Sequence, residues 1–144
     1  MKKKGNFIEG AIPPGFVAEV LTNHQLKHHI GAHNFFLGQV RADKKEGSEV
    51  SSIEFSAYEE MAVATIKTIR EEAFEKYHLS CLHIYHSLGK INVGEICFFV
   101  MVSAPHRPEV YEATEFLVNE IKNRVPIFGK ELLKNKSYIW KENN

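Results

Sequence analysis

No stretch of the chain is apolar for long enough to span a bilayer, and the basic start Met1-Lys2-Lys3-Lys4-Gly5 is not followed by an apolar segment. A membrane span and a secretory leader are therefore not expected, and a cytosolic protein is. Net charge is missing as well, because eighteen basic side chains are matched by eighteen acidic ones. No global field draws the chain to nucleic acid or to a membrane, so recognition of an anion has to come from a local cluster. Cysteine is scarce: Cys81 and Cys97 are the only two, each inside an apolar strand-like run with no metal-ligand spacing. They read as two reduced core thiols; a disulfide framework, a metal site and a redox pair are not expected. A Pro/Gly/Ser-rich linker is also lacking, so residues 1–144 read as one domain. What is present is apolar surface in quantity, including ten phenylalanines, which supports a single sizeable core and argues against disorder.

The apolar periods divide this domain into strands and helices. Residues 6–12 read as a short strand, and Ile12-Pro13-Pro14-Gly15 as a turn before a short helix over 16–21. His28-His29 falls in a polar connection and reads as solvated. Residues 31–41 form a strand ending in Arg41, 42–49 a charged loop, and 50–57 a second strand with Ile53, Phe55 and Ala57 on one face. These two strands are candidates for an antiparallel hairpin. Residues 58–78 carry Ala62, Ile66, Ile69, Ala73 and Tyr77 at spacings of four, three, four and four, an amphipathic packing helix. Residues 81–88 are a strand on which His83 and His86, three apart, point to opposite faces and cannot chelate together. After a turn over 89–94, the very apolar strand 96–102 leads to a second amphipathic helix from Pro108, built on Val110, Thr114, Leu117, Val118, Ile121 and Val125 and broken by Pro126. Residues 128–131 read as a loop and 137–141 as a last strand. The predicted class is α+β, a mostly antiparallel sheet with two main amphipathic helices.

The junction Ser103-Ala104-Pro105-His106-Arg107-Pro108-Glu109 delivers two basic side chains to a helix start. Unpaired N–H groups and the macrodipole favour an anion there. Pro108 suits the first helical position, where its missing N–H costs nothing. An ordinary solvated arginine beside a capping histidine accounts for the same residues.

Gly31-Ala32 through Gly38-Gln39-Val40-Arg41, Tyr58-Glu59-Glu60-Met61-Ala62, His86-Ser87-Leu88-Gly89 with Val93-Gly94-Glu95, Ser103 to Arg107, and Lys122-Asn123-Arg124-Val125-Pro126-Ile127-Phe128 with Lys130-Glu131 follow one another in an order and spacing that closely resemble the large subunit of molybdopterin synthase. The resemblance covers about 31–140 and implies an α/β hammerhead-like fold. It further implies a sulfurtransferase that converts cyclic pyranopterin monophosphate into the molybdopterin dithiolene, with no cofactor of its own. The sulfur is expected as a thiocarboxylate on the C-terminal Gly-Gly of a separate, small ubiquitin-like subunit. This chain ends in Glu-Asn-Asn, carries no fused ubiquitin-like unit, and has no evident sulfur donor.

By the same resemblance the substrate-binding residues are Gln39, Val40, Arg41, His106, Arg107, Lys122, Gly129, Lys130 and Glu131, and Phe36 lines the channel for the partner's tail. Lys122 is the first choice for the reacting centre. The family's second lysine is absent at Gly129: either Lys130, one place later, swings in with the help of glycine's backbone freedom, or the chain has one active-site lysine fewer. Arg107 and Lys122 are about 22 Å apart along one helix at roughly 1.5 Å per residue. A shared pocket therefore implies a homodimer with composite sites, inside a heterotetramer. The alternative is a catalytically silent paralogue that binds the sulfur carrier without transferring sulfur.

Overall fold

The computed structural model describes residues 1–142. Its elements are β1 (Lys2–Lys4), β2 (Phe7–Glu9), α1 (Pro14–His24), β3 (Ala32–Gln39), β4 (Lys44–Lys45), β5 (Ser48–Ala57), α2 (Glu59–Lys76), β6 (Cys81–Asn92), β7 (Ile96–Ala104), α3 (Arg107–Arg124), β8 (Ile127–Leu133) and β9 (Tyr138–Trp140). Among the described residues no helix is long and apolar enough to cross a membrane.

Strand β6 is the spine of the sheet. Its first half pairs with β7, and β7 in turn with β3; its last residues, Gly89 to Asn92, pair with β5, followed by β8 and β9. Strand β2 lies parallel on β6, the one parallel pair among the described residues, whose other ladders are antiparallel. The α+β expectation therefore holds, with a third helix, α1, running the full length of 14–24 instead of 16–21.

Period-two alternation decides what each face of this sheet meets. On one face Leu82, Ile84, Phe98, Val100 and Val102 join the α2 stripe Ala62, Ile66, Ile69 and Ala73 and the α3 residues Val110, Leu117 and Ile121 in one buried cluster. On the other, Phe99 and Met101 pack with Ile8, Ile12, Phe16 and Val20 under α1. Each such large side chain contributes about 1.5–3 kcal/mol when fully buried. A polar residue at Phe99, fully buried in the second cluster, would cost most of that.

Three expectations change. Strands β3 and β5 do not form a hairpin: β3 pairs with β7, and β5 with β6 and β8. The charged 42–49 segment makes its own tight turn, in which Glu46 (φ 49°) and Gly47 (φ 76°) are both left-handed and set Lys44–Lys45 against β5. Two successive positive φ angles suit a two-residue hairpin and leave β3 free to pair elsewhere. Residues 128–131 are not a loop but the middle of β8, held between β5 and β9. Their Gly-Lys-Glu composition has low strand preference, which the two flanking ladders override. The turn expected over 89–94 shrinks to its last residues, because β6 continues to Asn92.

Candidate functional site

Where the C-terminal turn of α3 meets β8, the molecule opens into a cavity of about 790 Å³. Its walls come from β3 and the segment beyond it (Phe36 to Arg41), from α3 and its exit (Ile121 to Phe128), and from Gly129, Glu131, Trp140 and Lys141. Its apolar floor holds Ile53, Phe55, His86, Cys97 and Phe98. Local sequence explains the opening. Pro126 ends the helix, its carbonyl accepts from the Tyr58 N–H at 3.1 Å, and Arg124 clamps the last turn to α2 through a two-pronged pair with Glu72 at 2.7 and 2.9 Å.

Lys122 stands half-buried in this cavity, its Nζ 5.9 Å from the centre of the Phe98 ring. Burial lowers its pKa, and the nearby charges of Lys141 and Arg41 lower it further. An amine so placed is easier to deprotonate than a solvated lysine, as a proton-shuttling group requires. His86 is buried between Phe55 and Phe98, at ring distances of 4.9 and 5.3 Å. Its Nδ1 donates to the Ser87 carbonyl at 2.8 Å, so the neutral ring carries its lone pair on Nε2. Desolvation, reinforced by the charge of Lys122, brings its pKa down to about 4. Cys97 is also buried, and desolvation pushes its thiol pKa up. A raised thiol pKa keeps sulfur protonated and poorly nucleophilic.

Of the residues expected at a site, Phe36, Gln39, Val40, Arg41, Lys122, Gly129 and Glu131 line this one cavity. Arg41 is exposed at the mouth, 3.3 Å from Asp43. Glu131 is 2 % exposed and pairs with Lys45 at 2.8 Å, which neutralises its carboxylate and ties β4 to β8.

His106 and Arg107 are not among the lining residues; exposed, they occupy the far end of α3, where His106 is the extended residue before the helix. Gly31 keeps the approach to that junction tight: a Cβ there would clash with the Pro105 carbonyl oxygen.

Lys130 does not swing in. Gly129 and Glu131 share the cavity face of β8, so alternation sends Lys130 to the other face, where its Nζ lies 4.2 Å from the centre of the Tyr138 ring. Gly129 does not have a left-handed φ, so space and not backbone freedom is what this glycine supplies. A Cβ at that position would lie 3.1 Å from Ile53, 3.2 Å from Phe55 and 3.4 Å from the Cβ of Lys141.

Lys141 is the cation that reading the sequence missed. The β8–β9 hairpin brings it across from Gly129, whose carbonyl accepts its N–H at 2.7 Å, and its side chain joins the cavity wall. Nothing in the local pattern around Trp140 marked it. Three cations, Arg41, Lys122 and Lys141, thus converge on a cavity floored by aromatic rings, an arrangement suited to a flat anionic molecule.

The family model described as MoaE protein matches residues 14–124. The chain is 40 % identical over 97 residues to the molybdopterin synthase catalytic subunit of Pyrococcus abyssi, covering 67 % of this chain and 65 % of that protein. It is 42 % identical over 115 residues to the protein of the same description from Drosophila willistoni, covering 78 % of this chain but only 31 % of the longer relative. The chain thus spans from about a third to just under two thirds of the length of these relatives. Among solved structures, molybdopterin synthase from Staphylococcus aureus superposes with a TM-score of 0.83 at 29 % identity, covering 99 % of both chains. A complex of subunits 1 and 2 of molybdopterin-converting factor from Helicobacter pylori shares the fold, with a TM-score of 0.79 at 22 % identity, covering 96 % of this chain and 90 % of that one.

Proposed function

This chain belongs to the MoaE family, and from that premise we propose that it is the catalytic, large subunit of a molybdopterin synthase. In this reading it transfers sulfur from the C-terminal thiocarboxylate of a small ubiquitin-like subunit to cyclic pyranopterin monophosphate. The observation that carries the reading is Lys122, desolvated beside Lys141 and Arg41 in a cavity whose own thiol is protonated and buried. A site that handles sulfur without a reactive cysteine needs its sulfur brought in.

Placement around the cavity supports the following roles. Arg41, at the mouth, supplies a forked and permanently charged donor set for the cyclic phosphate. The aromatic floor of Phe55, His86 and Phe98 receives the flat pterin. Phe36 borders the entry for the partner's extended tail. Lys122 accepts a proton in its neutral form, or steadies a developing oxyanion when protonated, and Lys141 tunes the balance between the two. His106 and Arg107 take part only if a second copy brings its α3 N-terminus to this cavity, so the proposal includes a two-fold dimer with composite sites in a heterotetramer.

The alternative is a silent paralogue that holds the carrier tail without chemistry, a reading favoured by Gly129 at the position where the family's pattern has a lysine. Reconstitution separates the two. Purified chain, precursor and thiocarboxylated small subunit are combined, and the dithiolene is followed as its fluorescent oxidation product. Product that disappears in Lys122→Ala supports the enzyme. A stable complex without product supports the silent form. Sedimentation of a monomer that still makes product would remove the composite site.

A further inference from the structure

The sheet face opposite the cavity carries a second group of chemistry-bearing side chains, unused by the reading above. Cys81 and His83 are two apart on β6 and so share a face, in register with Ser103 and Met101 of β7. The last turn of α1 lowers His24 onto them. The Nε2 atoms of His24 and His83 are 2.7 Å apart, with the rings nearly perpendicular at 79°. One ligating atom from each of His24, His83 and Cys81 lies within 4.8 Å of the others. His24 and Cys81 are buried, whereas His83 is only half-buried and leaves a side open to solvent.

The tautomer of His24 is set from behind. Its Nδ1 lies 2.6 Å from the Val20 carbonyl, which can only accept, so the proton is on Nδ1 and the Nε2 lone pair faces His83 and Cys81. A backbone carbonyl orienting the far ring nitrogen is the usual outer shell of a metal-bound histidine. We propose that His24, His83 and Cys81 form a three-ligand site for a transition-metal ion of the zinc(II) class, with the fourth position open to solvent.

The donor set selects the ion. Two imidazoles and one thiolate suit tetrahedral zinc or cobalt(II), and the site offers no oxygen ligands for calcium or magnesium. Binding displaces the proton between the two imidazoles, the His83 Nε2–H, which solvent exchanges onto Nδ1 of the same ring so that the imidazole stays neutral, and it requires the Cys81 S–H proton to leave to solvent, so that a sulfur–metal bond forms as the S–H bond breaks. Nitrogen–metal bonds of about 2.0–2.1 Å at a tetrahedral angle separate the two nitrogens by roughly 3.3 Å. The imidazoles therefore part by a little over half an ångström and the thiol closes in. Arg70, Lys27 and Lys3 contribute positive charge at His83, which weakens the site. The thiolate offsets one of these charges. Once bound, the ion fastens the C-terminal turn of α1 to β6.

The test uses the full chain, stripped with chelator and titrated with cobalt(II). Binding is read from the thiolate-to-cobalt charge-transfer band and the visible bands of a tetrahedral ion, followed by displacement with zinc. The expected result is one equivalent bound with the band present, zinc raising the melting temperature, and the band lost in Cys81→Ser with at least ten-fold weaker binding in His83→Gln. His28→Gln/His29→Gln, at the exposed histidine pair, should bind as the unaltered chain does. Absence of the band in the unaltered chain, or its persistence in Cys81→Ser, overturns the proposal. If Cys81→Ser fails to fold, Cys81→Ala is read in its place, and the unaltered chain alone still decides whether thiolate ligation occurs.

Discussion

Strand β6 carries two histidines three residues apart, and they end in opposite chemical settings. His86 is sealed between Phe55 and Phe98 under the cavity, its Nδ1 donating to the carbonyl of the next residue. His83 lies on the back of the sheet against His24, beside Cys81 and partly open to water. Both are held neutral, with pKa values brought down to about 4 mainly by burial. Equal protonation does not make equal chemistry. His86 forms an aromatic wall near Lys122, while His83 is hydrogen-bonded to His24 beside a thiol. What distinguishes them is which helix covers each face, not the imidazole itself.

The contrast can be sharpened by variants, beginning with the largest effect. Lys122→Ala, on the cavity face, should lower product formation by about 10²–10⁴-fold, the usual range for loss of a positioned proton-transfer group. Single-turnover kinetics in the reconstituted system would show it; retention of half the rate would remove Lys122 from the chemistry. Lys141→Ala should cost roughly ten-fold, and Lys130→Ala less, since only the former lines the cavity. The Lys141 change also carries a sign. Lys141 depresses the pKa of Lys122; without it that pKa rises, and if the neutral amine is the active form the rising limb of the pH–rate profile moves to higher pH. A limb unmoved by Lys141→Ala would separate the two lysines.

His86 predicts a pH-dependent loss of stability. Its folded pKa of about 4 lies below the unfolded value near 6.5, so its contribution is complete above about pH 6.5 and is lost as pH falls toward 4. The limit is about 3 kcal/mol. Denaturant melts of the unaltered chain and of His86→Gln at pH 7 and pH 4.5 should converge on acidification; parallel curves would deny the effect. Gly129→Ala should destabilise by about 1 kcal/mol through crowding against Ile53 and Phe55. A gain in melting temperature would mean that the wall yields. Smallest of all, Asp43→Ala should change stability by less than about 1 kcal/mol, because its pair with Arg41 is exposed. Substrate affinity, and not folding, is where that variant would register.

Much of this was legible before any coordinates. The α2 stripe at Ala62, Ile66, Ile69 and Ala73 is buried along its length, because an amphipathic period maps directly onto one helix face. The opposed directions of His83 and His86 followed from strand alternation alone. Seven of the ten expected site residues meet in one cavity, because segments that keep their order and spacing keep their places in the sheet. The failures are equally physical. Residues 128–131 looked like a loop since glycine and charged residues are poor strand formers in isolation, and only two neighbouring strands make that segment β8. Lys130 was named as the lysine one place after Gly129, but adjacent residues on a strand face apart, and Lys141, which lines the cavity, lies twelve positions beyond Gly129 and was not considered.

By itself the sequence determined the class, the helices, the relative facing of neighbours on each strand and the absence of a reactive-thiol motif, since all of these depend on contacts within a few residues. Only the tertiary structure decided that Lys141 stands beside Gly129 and that Cys81 and His83 receive His24. Those juxtapositions arise from hairpin register and from which helix lies on which face. Both are settled by burial of the whole core at once, and no local stretch of the chain encodes them.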